Sequence, residues 1–287
     1  MKIKLSHKFE DIISLDNLLL AWQEFLRGKR NRKDVQGFSA NLMDNIFSLH
    51  QDLLYQTYKH GGYKAFKIND PKPRDIHKAT VRDRLLHHAV YRFLYPFFAK
   101  TFIADSYSCQ IGKGTHKALD KFRQFAYRAS KNNTKTCYVL KGDIKKFFAS
   151  IDHDVLLKIL NEYIPDKKII WLLEKIISSF SSTRKGVGLP LGNLTSQLFV
   201  NIYMNKFDQF VKYKLRNKQP PPPPLTPSLA GGEIVLRRFR EGRNPGLTHP
   251  GASRHPSREG NYYIRYADDF VIFSEDRMVK KYYLGGK

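Results

Sequence analysis

Apolar residues recur at helical spacing twice in the first sixty positions, as Leu18, Leu19, Trp22, Phe25 and Leu26 and then as Leu42, Ile46, Phe47, Leu53 and Leu54. This repeat predicts two amphipathic helices, each burying one face. From Tyr63 to Ile76 the pattern turns short and basic and is broken by Pro71 and Pro73, so an extended or hairpin segment is expected. Thr80 and Asp83 have the spacing of an N-cap pair, and Val81, Leu85, Leu86, Ala89, Val90, Phe93, Leu94 and Phe97 continue as a helix. Helical spacing returns over 116–129, and Cys137 to Leu140 is a short apolar run of strand type leading into Gly142 and Asp143. Helices are expected near 153–163 and 167–180. A longer one, from about Leu194 to Tyr213, carries Leu198, Phe199, Ile202, Tyr203, Phe207, Phe210 and Val211 as its buried stripe.

Residues 220–260 break this regularity. Nine of the fourteen prolines fall there, five of them consecutive. A segment without apolar periodicity cannot bury enough surface to offset its ordering entropy, and a disordered insertion is expected. Beyond it, YYIRY and FVIFS read as two short strands joined at Ala267, Asp268 and Asp269, a hairpin with paired acids at its tip.

The hydrophobic fraction of 41% supports a sizeable core, so the chain is globular. Charge changes the picture more. Fifty Lys and Arg against twenty-six Asp and Glu leave +24, a field that attracts polyanions and makes nucleic acid the first partner to consider. The basic run RGKRNRKD at 27–34 fits equally a solvated loop or a track for a phosphate backbone. Cys109 and Cys137 are too few and too widely spaced for a disulfide framework or a CxxC site, which suits a reducing cytoplasm. No apolar run approaches the roughly 20 residues of a membrane helix, and the N-terminus lacks a signal-peptide core.

Adjacent carboxylates between apolar strands repel each other unless something positive neutralises them, and a divalent cation does so well. Asp143 supplies a third acid at the end of the other expected strand. If the two strands are neighbours, three carboxylates meet at one sheet edge, which suits two Mg²⁺ ions about 4 Å apart. A solvated turn that tolerates Asp is the alternative account of the pair, and the flanking apolar strands weigh against it. Asp152 and Asp154 sit where helix capping explains them.

These stretches together resemble the reverse transcriptases. YADD at 266–269 is similar to the family's YxDD signature, and KGDIKKFFASIDH to the motif holding its first catalytic Asp. KPRDI with VRDR at 72–84 and GKGTH at 112–116 resemble fingers motifs, and LPLGNLTSQ at 189–197 the loop-helix under the incoming nucleotide. The resemblance implies an α+β polymerase palm with a fingers subdomain and an N-terminal helical extension. The activity it implies is RNA-directed DNA synthesis on template RNA and a primer or cDNA strand, using dNTPs and two Mg²⁺ ions, with Mn²⁺ as a substitute.

Asp143, Asp268 and Asp269 then become catalytic metal ligands. Lys72 and Arg74 fall where the family places basic residues on the triphosphate. Phe148, five positions after Asp143, matches the bulky residue that blocks a ribose 2′-hydroxyl, although a core aromatic serves the pattern as well. Leu191, Gly192 and Gln197 belong to the nucleotide-binding loop. Many members have Gln at the place of Leu191 and Pro at that of Gln197. The pattern here resembles the enzymes of diversity-generating retroelements, which copy with errors at template adenines, within the wider group of bacterial, group II intron-like enzymes.

The expected organisation is an N-terminal helical extension (1–60), fingers (61–138), the first part of the palm (139–219), the insertion (220–260), and the YADD hairpin with an aberrant end (261–287). The family's primer grip and thumb have no counterpart in the sequence, so a truncated chain with the thumb missing is expected. Two alternatives remain: an RNA-binding remnant without catalysis, and a group II intron-type enzyme with maturase activity. An accessory protein is a further partner the resemblance allows.

Overall fold

The structure, a computed structural model, describes residues 3–69, 73–214, 233–239 and 262–274. It combines helices with two antiparallel sheets and divides into two compact units, Met1–Phe102 with Lys146–Tyr203, and Ile103–Lys145 with Met204–Lys287. These units do not follow the sequence boundaries near 60, 138 and 219. Strands distant in sequence pair inside the second unit, while the helices after Lys146 complete the first.

The first unit begins with α1 (Phe9–Ile13), α2 (Leu15–Phe25), α3 (Lys33–Ala40) and α4 (Leu42–Leu54), four helices where periodicity predicts two. The extra breaks are local. Ser14 adopts an extended ψ of 144° and its hydroxyl accepts from the Asn17 N–H, so a new helix starts at Leu15. Asn41 separates α3 from α4 by its backbone alone, with a non-helical φ/ψ of −123°/46° and no side-chain cap. Leu18, Trp22, Phe25, Ile46 and Leu53 are buried as their spacing predicts, whereas Phe47 and Leu54 face outward.

The hairpin β1 (Tyr63–Asn69) and β2 (Pro73–Ala79) pairs Tyr63 with Ala79, and most of its side chains are exposed. Helix α5 (Val81–Ala99) follows, capped as expected by the Thr80 hydroxyl accepting from the Asp83 N–H. The Asp83 carboxylate in turn accepts from the Tyr58 hydroxyl at 2.7 Å and the Gly61 N–H at 3.1 Å, so one buried acid ties the hairpin's entry to α5. Helices α7 (Phe147–Ser150), α8 (His153–Asn161) and α9 (Lys167–Ser178) complete the unit with the first part of α10 (Leu194–Gln209). Asp152 is the N-cap of α8, accepting from the Val155 N–H.

The second unit holds α6 (Thr115–Ala129) and a four-stranded sheet of order β4-β3-β6-β5, with β3 (Cys137–Asp143), β4 (Glu233–Phe239), β5 (Tyr262–Tyr266) and β6 (Asp269–Ser274). Alternation along the strands serves both faces. Cys137, Val139, Ile264 and Phe273 pack on Ala118, Phe125, Ala126 and Ala129 of α6. Leu140, Tyr263, Phe270 and Ile272 pack instead with Val211, Phe207 and Phe210 at the end of α10. There the helix does not run on regularly to Tyr213; its last residues, Phe210–Lys214, widen into a π-helical turn.

Strand β4 corrects the expectation of disorder across 220–260. Glu233–Phe239 pairs antiparallel with β3 from Cys137↔Phe239 to Asp143↔Glu233. The run Ile234, Val235, Leu236 has strand propensity, and pairing with β3 satisfies backbone groups that would otherwise form a sheet edge. The remainder of that segment, and the chain after Ser274, lie outside the described residues.

Candidate active site

Antiparallel pairing of β3 with β6 ends at Gly142↔Phe270. The next step of that register sets Asp143 across from Asp269, on the face that also carries Lys141. Asp268 occupies the turn between β5 and β6, where Tyr266 pairs with Asp269. One sheet edge therefore collects all three acids. Asp143 is exposed and Asp268 and Asp269 are half-exposed, so the carboxylates are open to solvent and ligands. Lys141 leans diagonally across the strands, its Nζ 3.5 Å from Asp269 Oδ1.

Gly142 is the residue that lets the two strands close up. A Cβ there would lie 2.2 Å from the Phe270 ring, which covers the glycine. A larger residue before Asp143 would push the aromatic, and with it the neighbouring Asp269, out of register.

The turn itself is strained. Ala267 has φ 56°, a left-handed conformation that costs a non-glycine residue about 1–2 kcal/mol. A buried network holds it. Arg265 and Asp208 are each 0% exposed. Arg265 Nε donates to both Asp208 oxygens at 2.8 and 2.9 Å, and Nη2 donates to Asp208 Oδ2 and to Ser106 Oγ, each at 2.8 Å. The third nitrogen, Nη1, donates to the Ala267 carbonyl at 2.7 Å. The Tyr263 hydroxyl donates to Asp208 Oδ1 at 2.6 Å. Burial opposes the guanidinium charge, but the facing Asp208 carboxylate outweighs it and Arg265 stands above its usual pKa. Burial, then Asp208, pushes the Tyr263 phenol well up.

The segment before α6 braces the same strand. The Arg265 N–H donates to the Asp105 carbonyl, and the Tyr107 N–H to the Arg265 carbonyl, each at 3.0 Å. Lys212 pairs with Asp105 at 2.8 Å. Lys113 of the GKGTH stretch donates to the carbonyls of Ala104 and Ser106 at 2.9 and 2.7 Å. Periodicity and motifs do not single out Arg265, Asp208 or Ser106, although a charge inside the apolar strand YYIRY is a signal: a buried Arg needs a partner.

The remaining candidates lie in the first unit. Arg74 is exposed on β2, and Lys72 lies outside the described residues. Phe148 is half-buried on α7, while its neighbour Phe147, at 4% exposure, belongs to the core. The loop Leu189–Asn193 is fastened to β2, because the His77 N–H donates to the Leu191 carbonyl at 3.0 Å and Asn193 Nδ2 donates to the His77 carbonyl at 2.8 Å. Gly192, at φ 101°, is exposed, and a Cβ there would meet Ile76 at 2.8 Å. Gln197 is half-buried in the first turn of α10.

Among the described residues, no group of three or more His, Cys, Asp or Glu side chains is placed to hold a metal ion. The edge instead offers hard carboxylate oxygens on two neighbouring strands and a turn, the donor set that Mg²⁺ takes with water or substrate oxygens completing its shell. The residues thus fit such an ion by donor type. Among the described residues, no helix is long and apolar enough to cross a membrane.

A mixed α+β unit with acids on a central strand and a neighbouring hairpin tip defines a polymerase-type palm, and comparison with known proteins agrees. Residues 67–281 match the reverse transcriptase (RNA-dependent DNA polymerase) family, and the chain belongs to that family. It is similar to the group II intron-encoded protein LtrA of Lactococcus lactis subsp. cremoris, 27% identical over 263 residues that cover 83% of this chain and 42% of that protein. It also resembles the putative COX1/OXI3 intron 1 protein of Saccharomyces cerevisiae, 24% identical over 281 residues, 90% of this chain and 32% of that one. The chain thus spans less than half the length of these relatives. Among solved structures, a partial Cas6-RT-Cas1–Cas2 complex shares the fold with a TM-score of 0.52 at 18% identity, covering 95% of this chain and 39% of the other.

Proposed function

We propose that this chain adds dNTPs to a primer 3′-hydroxyl on an RNA template, with Asp143, Asp268 and Asp269 holding two divalent ions. The observation that supports this best is the gathering of the three acids on one sheet edge by the β3–β6 register and the β5–β6 turn. When bound, such ions activate the attacking hydroxyl and neutralise the triphosphate. The chain's own part is to keep three carboxylates open and aligned, with Gly142 and the Phe270 ring fixing their spacing. Lys72 and Arg74 are assigned to phosphate contact, and Phe148 to exclusion of the 2′-hydroxyl. The test is primer extension on an RNA template with Mg²⁺. Asp143→Asn or Asp268→Asn should abolish extension and leave RNA binding within about twofold, because the carboxylates act in the chemical step. Extension that survives either change removes that residue from the site.

A finer reading rests on Leu191 and Gln197, the positions that resemble diversity-generating enzymes. An aliphatic Leu191 side chain offers no hydrogen bond that would police pairing geometry. Leu191→Gln should lower misincorporation opposite template adenine by about tenfold, read by sequencing of products. An unchanged error spectrum would leave the chain as a group II intron-like enzyme of ordinary fidelity.

A further inference from the structure

We infer that the buried Arg265–Asp208 pair positions the Asp268–Asp269 turn, so that Arg265 and Asp208 set the affinity of the acid edge for divalent ions without touching them. This rests on the metal reading of the acids. Three features carry it. The guanidinium uses every face: one side grips Asp208, one reaches Ser106, and Nη1 holds the Ala267 carbonyl at 2.7 Å, two residues beyond Arg265 and one before Asp268. That carbonyl belongs to the strained left-handed residue of the turn, φ 56°, where an untethered alanine would relax. The side-chain partners that Arg265 grips come from outside the hairpin. Asp208 comes from α10, and Ser106 from the 105–107 segment whose backbone bonds to Arg265 on both sides.

A buried ion pair can often be replaced by apolar residues of similar volume with little loss of stability. That separates positioning from mere packing. In the double variant Asp208→Leu/Arg265→Met of the full chain, combined with Tyr263→Phe so that no buried hydroxyl loses its Asp208 acceptor, the thermal midpoint should stay near that of the wild type. Amide hydrogen exchange should speed up at least tenfold in residues 265–270 and not in β3. Mn²⁺ affinity, read by electron paramagnetic resonance, should weaken at least tenfold, while RNA binding is unchanged. Arg265→Lys, which keeps the charge but cannot span Asp208 and the Ala267 carbonyl, should show the same pattern and serves if the combined variant does not fold. Exchange and Mn²⁺ affinity equal to the wild type in a folded variant would overturn the inference, as would faster exchange spread evenly over the whole sheet. Absence of Mn²⁺ binding by the wild type, or binding that survives Asp268→Asn, would instead count against the metal reading, with hydrogen exchange still deciding whether the pair holds the turn.

Discussion

Neighbouring phenylalanines do different work in this chain. Phe147 is 4% exposed and belongs to the core, whereas Phe148 is half-buried. A core aromatic is the competing explanation for Phe148, and its partial exposure favours the role of a gate against the ribose 2′-hydroxyl. Phe148→Ala should cut the preference for dNTPs over rNTPs by at least tenfold and leave dNTP kcat/KM within a few-fold, measured by single-nucleotide incorporation. Undiminished discrimination would put the gate elsewhere. At this scale the acids are legible because a charged pair inside an apolar pattern is conspicuous. Asp208 and Arg265 are less so, since each sits in an otherwise regular element and their partnership spans fifty-seven residues of chain. Only the fold brings them together.

Among the elements, α5 stores a pH dependence. His87 lies wholly inside, and burial first, then His60, His88 and Arg84, lower its pKa to about 3. Burial, with Lys29 and Arg84, lowers His88 to about 4. Both values lie below the roughly 6.5 of an unfolded histidine, so the unfolded chain takes up protons first as pH falls. Stability from neutral, buried histidines is therefore complete above about pH 6.5 and drains away towards pH 3–4, by several kcal/mol in order of magnitude. His87→Gln should flatten the fall of the urea midpoint between pH 6.5 and 4 even if it lowers stability at pH 7. A slope equal to that of the wild type would mean that His87 does not drive the acid loss. Sequence periodicity is a good guide to α5, because an amphipathic stripe and a Thr80 cap announce it. It is a poor guide to β4, whose three apolar residues are diluted by the surrounding prolines and glycines and gain a partner only when β3 is in place. It also misses the breaks around Ser14 and Asn41, which are made by single backbone conformations rather than by composition.

At the scale of the whole molecule, the +24 charge is the dominant physical fact, and its distribution sharpens the choice between loop and phosphate track for the basic run at 27–34. Arg27, Arg30 and Arg32 are exposed there, and Asp34, the one acid of the run, is already engaged by Lys78 and Arg84, each at 2.6 Å. Burial raises the Asp34 carboxyl, but these two cations more than offset it and its pKa lies below the usual value, so the acid stays ionised and occupied. Among the described residues no acid is paired with these three arginines, which favours the phosphate track over an idle loop. RNA affinity should fall steeply with salt, as counterions released on binding are put back; about six phosphate contacts on a single strand would weaken it roughly 300-fold between 50 and 200 mM. Replacing Arg27, Arg30 and Arg32 by Ala should reduce the slope of log affinity against log salt by about 2, at roughly 0.7 for each single-strand phosphate no longer neutralised. The Asp268→Asn variant, which leaves these arginines in place, should keep the original slope. An arginine-free run with the full salt dependence would make 27–34 a solvated loop and send the search for the RNA track to other basic surfaces of the chain.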